Sequence, residues 1–173
     1  MDKGIVVKTT KGTFELKEED FSDFGVSICL PEVLTDLSDE ERTNKVITTG
    51  EPDLIRTDLS NGIVFTISSS PAEIKEGIYD NEAVEGFMSA QHKIISRLTP
   101  GYLEYGMKIK QIESHTIACL RFKSNAIDDD MYNIFYLFIH KGKMIFGTFS
   151  CILDDQAEWE LVFLTCLDTL KFK

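Results

Sequence analysis

The sequence predicts an α+β protein, a three-layer α/β/α sandwich with a mainly antiparallel central sheet. Three observations lead there. Residues 133–151, NIFYLFIHKGKMIFGTFSC, make a strand–turn–strand pattern that is apolar at odd and even positions alike. Two other segments, one before and one after this ribbon, carry apolar residues at helical spacing. Glycine-containing two-residue turn signals recur between short strand-like runs. A sheet wetted on one side would alternate apolar with polar residues. A ribbon that is apolar on both sides needs a layer on each, and the sequence offers two good helices to supply them.

Taken in order, Lys11-Gly12 separates IVVKTT from TFELK in a first hairpin. VSICLP (26–31) reads as a strand in which Val26, Ile28 and Leu30 alternate with Ser27 and Cys29, and Pro31 ends it. Ser38-Asp39-Glu40-Glu41 has capping-box spacing with few apolar residues after it, which predicts a short exposed helix. Asn61-Gly62 separates LIRTDLS from IVFTIS, with glycine supplying the positive φ of a hairpin turn. Ser70-Pro71-Ala72-Glu73 predicts another short helix, with proline at its first position and Gly77 as its stop.

The long helix is expected over 82–98, where Val84, Phe87, Met88, Gln91, Ile94, Ile95 and Leu98 share one stripe. Glu82 and Glu85 near its start, and Lys93 and Arg97 near its end, complement the helix dipole; Thr99-Pro100-Gly101 terminates it. Glu113-Ser114 predicts a turn between MKIKQI and TIACLRF. With Lys141-Gly142 as a turn, His140 faces Lys143, Ile139 faces Met144 and Phe138 faces Ile145; Leu137 then meets Phe146, Tyr136 meets Gly147 and Ile134 meets Phe149. One face carries Ile134, Tyr136, Phe138, Ile145 and Phe149, the other Phe135, Leu137, Ile139, Met144 and Phe146. The last helix begins at Asp154-Asp155, with Asp155 and Glu158 as an acidic capping box. Its buried stripe is Trp159, Val162, Phe163, Cys166, Leu167 and Leu170, widened by Leu161 and Leu164.

No linker, repeat or low-complexity stretch divides the 173 residues, so one domain over 1–173 is expected. The net charge of −11, from 29 acidic and 18 basic residues, argues against nucleic acid, whose phosphates need a basic face. No apolar run approaches the roughly 20 residues of a membrane span, so no membrane contact is expected. MDKGIVVKTTKGTFELKEEDF lacks the features of an export signal. Cys29, Cys119, Cys151 and Cys166 are widely spaced among apolar residues and read as buried free thiols. Together these features predict a cytoplasmic protein.

The order VSICLPE (26–32), NGIVFTIS (61–68), a long helix ending RLTPGY (97–102), YNIFYLFIHKGKMIFGTFSC (132–151) and EWELVFLTCLDTLKF (158–172) resembles small, uncharacterised bacterial proteins of the Mog/PsbP-like α/β/α sandwich superfamily. That superfamily includes an extrinsic photosystem II subunit and a Ran-GTPase-binding import factor. The resemblance covers 26–172 and leaves residues 1–20 as an additional N-terminal β-hairpin. It implies a non-enzymatic scaffold that acts by binding proteins, and no binding residue carries over.

The residues themselves offer little chemistry. His92, His115 and His140 form no short-range metal pair and read as surface or boundary residues. Asp128-Asp129-Asp130 lacks the alternation of a calcium loop and reads as a solvated loop. Ser68-Ser69-Ser70 is no nucleophile elbow, and no phosphate-binding glycine loop occurs. The Cys151–His115 and Cys119–His140 pairings have no local support. No catalytic residue, cofactor or metal is therefore expected.

The reading that remains is a non-enzymatic accessory or immunity-type module that masks a basic protein partner with an acidic face. Candidate contacts are Glu18, Glu19, Asp20, Phe21 and Phe24, where acids and aromatic rings interleave, and Asp128, Asp129 and Asp130. Against the first group stands the reading that both rings close the edge of the core. The alternative function is a small-molecule or lipid carrier with an apolar pocket between sheet and helix, motivated by the 12 phenylalanines.

Overall fold

The computed structural model describes residues 4–37, 52–74 and 80–173; the helix expected after Ser38 lies outside them. The chain opens with β1 (Ile5–Thr9), β2 (Gly12–Phe21), β3 (Val26–Pro31) and β4 (Thr35–Asp36), followed by β5 (Leu54–Asp58) and β6 (Ile63–Pro71). Helix α1 (Asp80–Leu98) leads to β7 (Leu103–Ile112), β8 (His115–Asn125), β9 (Asp130–His140) and β10 (Lys143–Ile152). Helix α2 (Gln156–Asp168) and β11 (Lys171–Phe172) follow.

A seven-stranded sheet runs β4-β5-β6-β10-β9-β8-β7, a four-stranded one β1-β2-β3-β11, and every pairing is antiparallel. The β9–β10 register is the one that the Lys141-Gly142 turn implies, from His140↔Lys143 to Ile134↔Phe149. Both turn residues take positive φ, 50° and 72°, as a primed hairpin requires. The two faces of this ribbon enter two separate cores. Ile134, Tyr136, Phe138, Ile145 and Phe149 pack with the small sheet and α2, and Phe135, Leu137, Ile139, Met144 and Phe146 pack with α1. The fold is thus α+β in three layers, and one outer layer combines α2 with the small sheet.

Tyr136 and Gly147 are cross-strand partners. The Tyr136 hydroxyl donates to the Thr66 carbonyl at 2.7 Å, while the Thr148 amide donates to the Thr66 hydroxyl at 3.0 Å. The tyrosine therefore takes a backbone acceptor between β6 and β10, and a Cβ at 147 would overlap the Thr66 carbonyl oxygen and crowd the Tyr136 hydroxyl.

Several local expectations are corrected. The first hairpin turns at Thr10-Lys11, because Thr9 pairs with Gly12. Ser70 and Pro71 belong to β6, opposite Met144 and Lys143, so no capped helix starts there. The long edge of β10 recruits this segment, and proline is tolerated at a strand end, where a ladder donor is least needed. Asp155 precedes α2 without a capping side-chain bond. Its carboxylate instead accepts from Lys11 Nζ at 2.9 Å, and Glu158 accepts from the Thr10 hydroxyl and from the Lys11 amide at 3.1 Å. The two carboxylates thus dock the first hairpin, and hydrogen bonding, chiefly from Thr10, holds Glu158 below the usual carboxylate range. On α1 only Val84 and Met88 are fully buried. Ile94 and Leu98 remain in water although they obey the helical spacing, as does Leu161 on α2.

Trp159 lies between Phe14 and Phe163, with ring centroids at 4.6 and 5.7 Å. Trp159→Ala is expected to cost about 3–5 kcal/mol in urea denaturation, the range for emptying a large aromatic site. Gly147→Ala is expected to cost about 1–3 kcal/mol by overpacking, although alanine is the better strand residue where space allows.

Candidate functional site

The two acidic segments differ in how their charges are used. In 18–24, Phe21 and Phe24 are only 4% and 8% exposed, so both rings belong to the core rather than to a contact surface. Phe21 stacks on Phe65, and the Arg56 guanidinium lies 5.6 Å over its ring. The burial follows from the β2–β3 register, which sets Phe21 opposite Val26 above the large sheet. The carboxylates of Glu18, Glu19 and Asp20 are all engaged. Glu18 accepts from Ser27 at 2.8 Å and from Lys171 at 3.1 Å, Glu19 from Arg56 at 3.0 Å, and Asp20 from Lys173 at 2.5 Å. The Ser27 hydroxyl first, then Lys171, hold Glu18 below its ordinary range. The acidity of Glu18, Glu19 and Asp20 in the sequence has become a set of three ion pairs.

The 125–130 loop is different. Its base is fixed by two backbone bonds, Asn125 N to Pro100 O at 2.8 Å and Ala126 N to Asp129 O at 2.9 Å. At its tip Ile127 is 94% exposed. Asp130 pairs with Lys123 at 3.0 Å, while Asp128 and Asp129 make no ion pair among the described residues. The loop and residues 152–154 enclose an open cleft of about 480 Å³ whose wall includes all three loop aspartates and Asp154. A second open cleft of about 510 Å³ runs along α2 past Glu160, Leu161 and Leu164. Neither lies between α1 and the sheet. Only the first combines a fixed backbone, an apolar tip and unpaired carboxylates.

Two of the three histidines meet. The β8–β9 register, continued from Ala118↔Leu137, brings His115 opposite His140. His140 Nε2 lies 3.1 Å from the Lys173 carbonyl and must donate to it, which leaves His140 Nδ1 to accept from His115 Nε2 at 3.0 Å. His115 also stacks on Phe172 at 3.5 Å. Burial first, and then repulsion from His140 when both rings would be protonated, hold His115 below its ordinary pKa. His92 stands apart, paired with Glu104 at 2.5 Å. Strand register could have revealed the pair, whereas a search for short spacing could not.

Because His115 bonds His140, it is not the partner of Cys151, nor is His140 that of Cys119. Burial pushes the Cys119 thiol up to about 11 and Cys151 to about 12, and raises Cys166 further. Such thiols are poor nucleophiles. All four cysteines are free and buried. Among the described residues no three His, Cys, Asp or Glu side chains converge for a metal, and no helix is long and apolar enough to cross a membrane.

No family model matches the sequence, and no curated protein matches it either. Solved structures do. The cyanobacterial PsbP (CyanoP) of Synechocystis sp. PCC 6803 is similar at 12% identity, covering 96% of this chain and 98% of that one, with a TM-score of 0.63. LpqN of Mycobacterium tuberculosis, involved in cell envelope biogenesis, is 9% identical over 91% and 90% of the chains, with a TM-score of 0.58. The Saccharomyces cerevisiae Ran-binding protein Mog1p is 8% identical over 92% and 96%, with a TM-score of 0.53. The fold is therefore PsbP/Mog1-like, and identities this low carry fold alone.

The histidine pair has a measurable consequence. A histidine with a depressed folded-state pKa takes up a proton more readily when unfolded, so its stabilisation is present above about pH 6.5 and is lost as pH falls. Thermal unfolding from pH 7.5 to 5.5 should show a falling Tm that His115→Gln flattens. Glu18, Asp58, Glu158 and Glu160, all held low, contribute to a separate loss at more acid pH.

Proposed function

We propose that the chain is a non-catalytic module that binds a basic protein through the 125–130 loop and the adjoining residues 153–154. The observation that carries this reading is Ile127, exposed almost completely beside Asp128, Asp129 and Asp154 on a loop whose base is hydrogen-bonded in place. An apolar side chain held in water at a fixed position has burial energy left to give, about 1.5–3 kcal/mol for isoleucine. Carboxylates around it select and orient a cationic surface and hasten encounter. The Glu18–Asp20 run is a weaker candidate because each of its carboxylates already holds a cation of this chain. Neighbours of the same fold include a protein described as Ran-binding, which is consistent with work done by binding rather than by chemistry. Cytoplasmic residence remains part of the proposal, in keeping with four reduced cysteines.

The experiment compares matched baits in native lysate, the wild-type chain and the triple variant Ile127→Ser, Asp128→Asn, Asp129→Asn. The substitutions lie on an exposed loop and should move stability by no more than about 0.5 kcal/mol. A basic protein retained by the wild type, reduced about tenfold with the variant and weakened by added salt is the expected result. Identical protein sets on both baits would overturn the assignment.

A further inference from the structure

Strand β7 ends the seven-stranded sheet, and among the described residues no strand lies beyond it. It is 10 residues long, against two for β4 at the opposite edge. A free edge presents a row of unpaired backbone donors and acceptors, which proteins usually shorten, cover or block. Here only the start is interrupted, by a bulge between Glu104 and Gly106. From Gly106 to Ile112 the edge is regular.

The register sorts its side chains. Met107 pairs with Leu120 and Ile109 with Ala118, which places both on the α1 side of the sheet, where both are exposed. Lys108 pairs with Cys119 and Lys110 with Ile117, on the α2 side. Gly106 pairs with Arg121, whose guanidinium lies 3.1 Å from where a Cβ of Gly106 would stand. Having no side chain, Gly106 lets that arginine lie across the edge strand. The α2 side of the edge thus shows three cations in successive period-two positions, from Arg121, Lys108 and Lys110, on a chain of net charge −11. Arg121 and Lys110 have partners of their own in Glu160 and Asp168, while Lys108 makes no ion pair among the described residues.

We propose that β7 is a docking edge that adds an extended segment of another protein, one alternating apolar with acidic residues. Its apolar side chains lie beside Met107 and Ile109, its acidic ones beside Arg121, Lys108 and Lys110. Backbone hydrogen bonding supplies affinity in such strand addition, and alternate side chains supply specificity. A second copy of this chain fits poorly. Antiparallel self-pairing centred on residue 108 opposes two Lys108 side chains, and centring on 109 opposes Lys108 to Lys110 twice; like charges directly opposite are destabilising. The lysines that keep copies apart are the ones that select an acidic strand. This surface is separate from the 125–130 loop and prefers the opposite charge, so each can fail without the other.

Three fluorescein-labelled octapeptides test it by anisotropy: one alternating glutamate with valine and threonine, one with lysine in place of glutamate, and one acidic with a central proline. The acidic peptide should bind at least about tenfold more tightly than the lysine peptide, and the proline peptide should lose binding. Lys108→Glu, an exposed and unpaired position, should narrow that preference about tenfold with an unchanged Tm. Hydrogen exchange should slow at the amides of 107–111 when the acidic peptide is bound. Equal binding of acidic and lysine peptides, survival of binding in the proline peptide, or protection outside β7 would overturn the proposal. So would a wild-type dimer in sedimentation that Ile109→Lys dissociates, since the edge would then belong to a second copy.

Discussion

Strand β9 has neither face in water from Tyr132 to Ile139, and the rest of the molecule is arranged to satisfy that. Each fully buried side chain of this size is worth about 1.5–3 kcal/mol relative to exposure, and both faces must be covered at once for the strand to exist. Strands β8 and β10 take its backbone groups on either side. Helix α1 closes one face and α2 with the small sheet closes the other. The strand also enforces detail away from itself. Tyr136 is too long for the layer it occupies unless its hydroxyl finds an acceptor, and it finds the Thr66 carbonyl two strands away. That choice requires Gly147 opposite and redirects the Thr148 amide to a threonine side chain.

The centre of this arrangement was legible because local rules and burial agree there. Lys141-Gly142 sets a register, the register sorts ten apolar side chains into two faces, and two faces demand two layers. The stripe from Trp159 to Leu167 on α2, continued by Leu170 just past its end, was legible for the same reason, since Trp159, Val162, Phe163, Cys166, Leu167 and Leu170 are all buried. Reading failed where a long-range partner outbid a local preference. Ser70-Pro71 has good helix-start chemistry, but the edge of β10 holds it as strand. Asp155 and Glu158 have capping-box spacing, but the turn of the first hairpin reaches them first. Ile94, Leu98 and Leu161 obey helical spacing and still face water, because spacing reports a direction and not what stands in it.

The surface was less legible than the core. Glu18, Glu19 and Asp20 look like a free acidic patch until Lys171, Arg56 and Lys173 arrive from distant positions to meet them. The same segment's rings vanish into the core. The Asp128–Asp130 run kept its charge because, among the described residues, only Asp130 finds a cation, Lys123. Ile127 gave no signal in the sequence, where one isoleucine beside a polar run is ordinary. Its meaning comes from a backbone that holds it outward. The histidine pair was hidden by a separation that only the β8–β9 register closes.

The small sheet joins opposite parts of the chain. Strand β3, buried at all six positions, pairs at Val26 and Ser27 with Phe172 and Lys171, and the Lys173 amide bonds the Gly25 carbonyl at 2.9 Å. The first hairpin likewise rests on residues 155 and 158. During synthesis, then, the earliest strands emerge with apolar faces whose cover is encoded more than a hundred residues later. Contacts of such high sequence separation must pay their loop-closure entropy before they return any stability, and they slow folding. The apolar face of β3 lacks this cover until α2 and β11 leave the ribosome, and over that interval Val26, Ile28 and Leu30 are the surface a chaperone would meet.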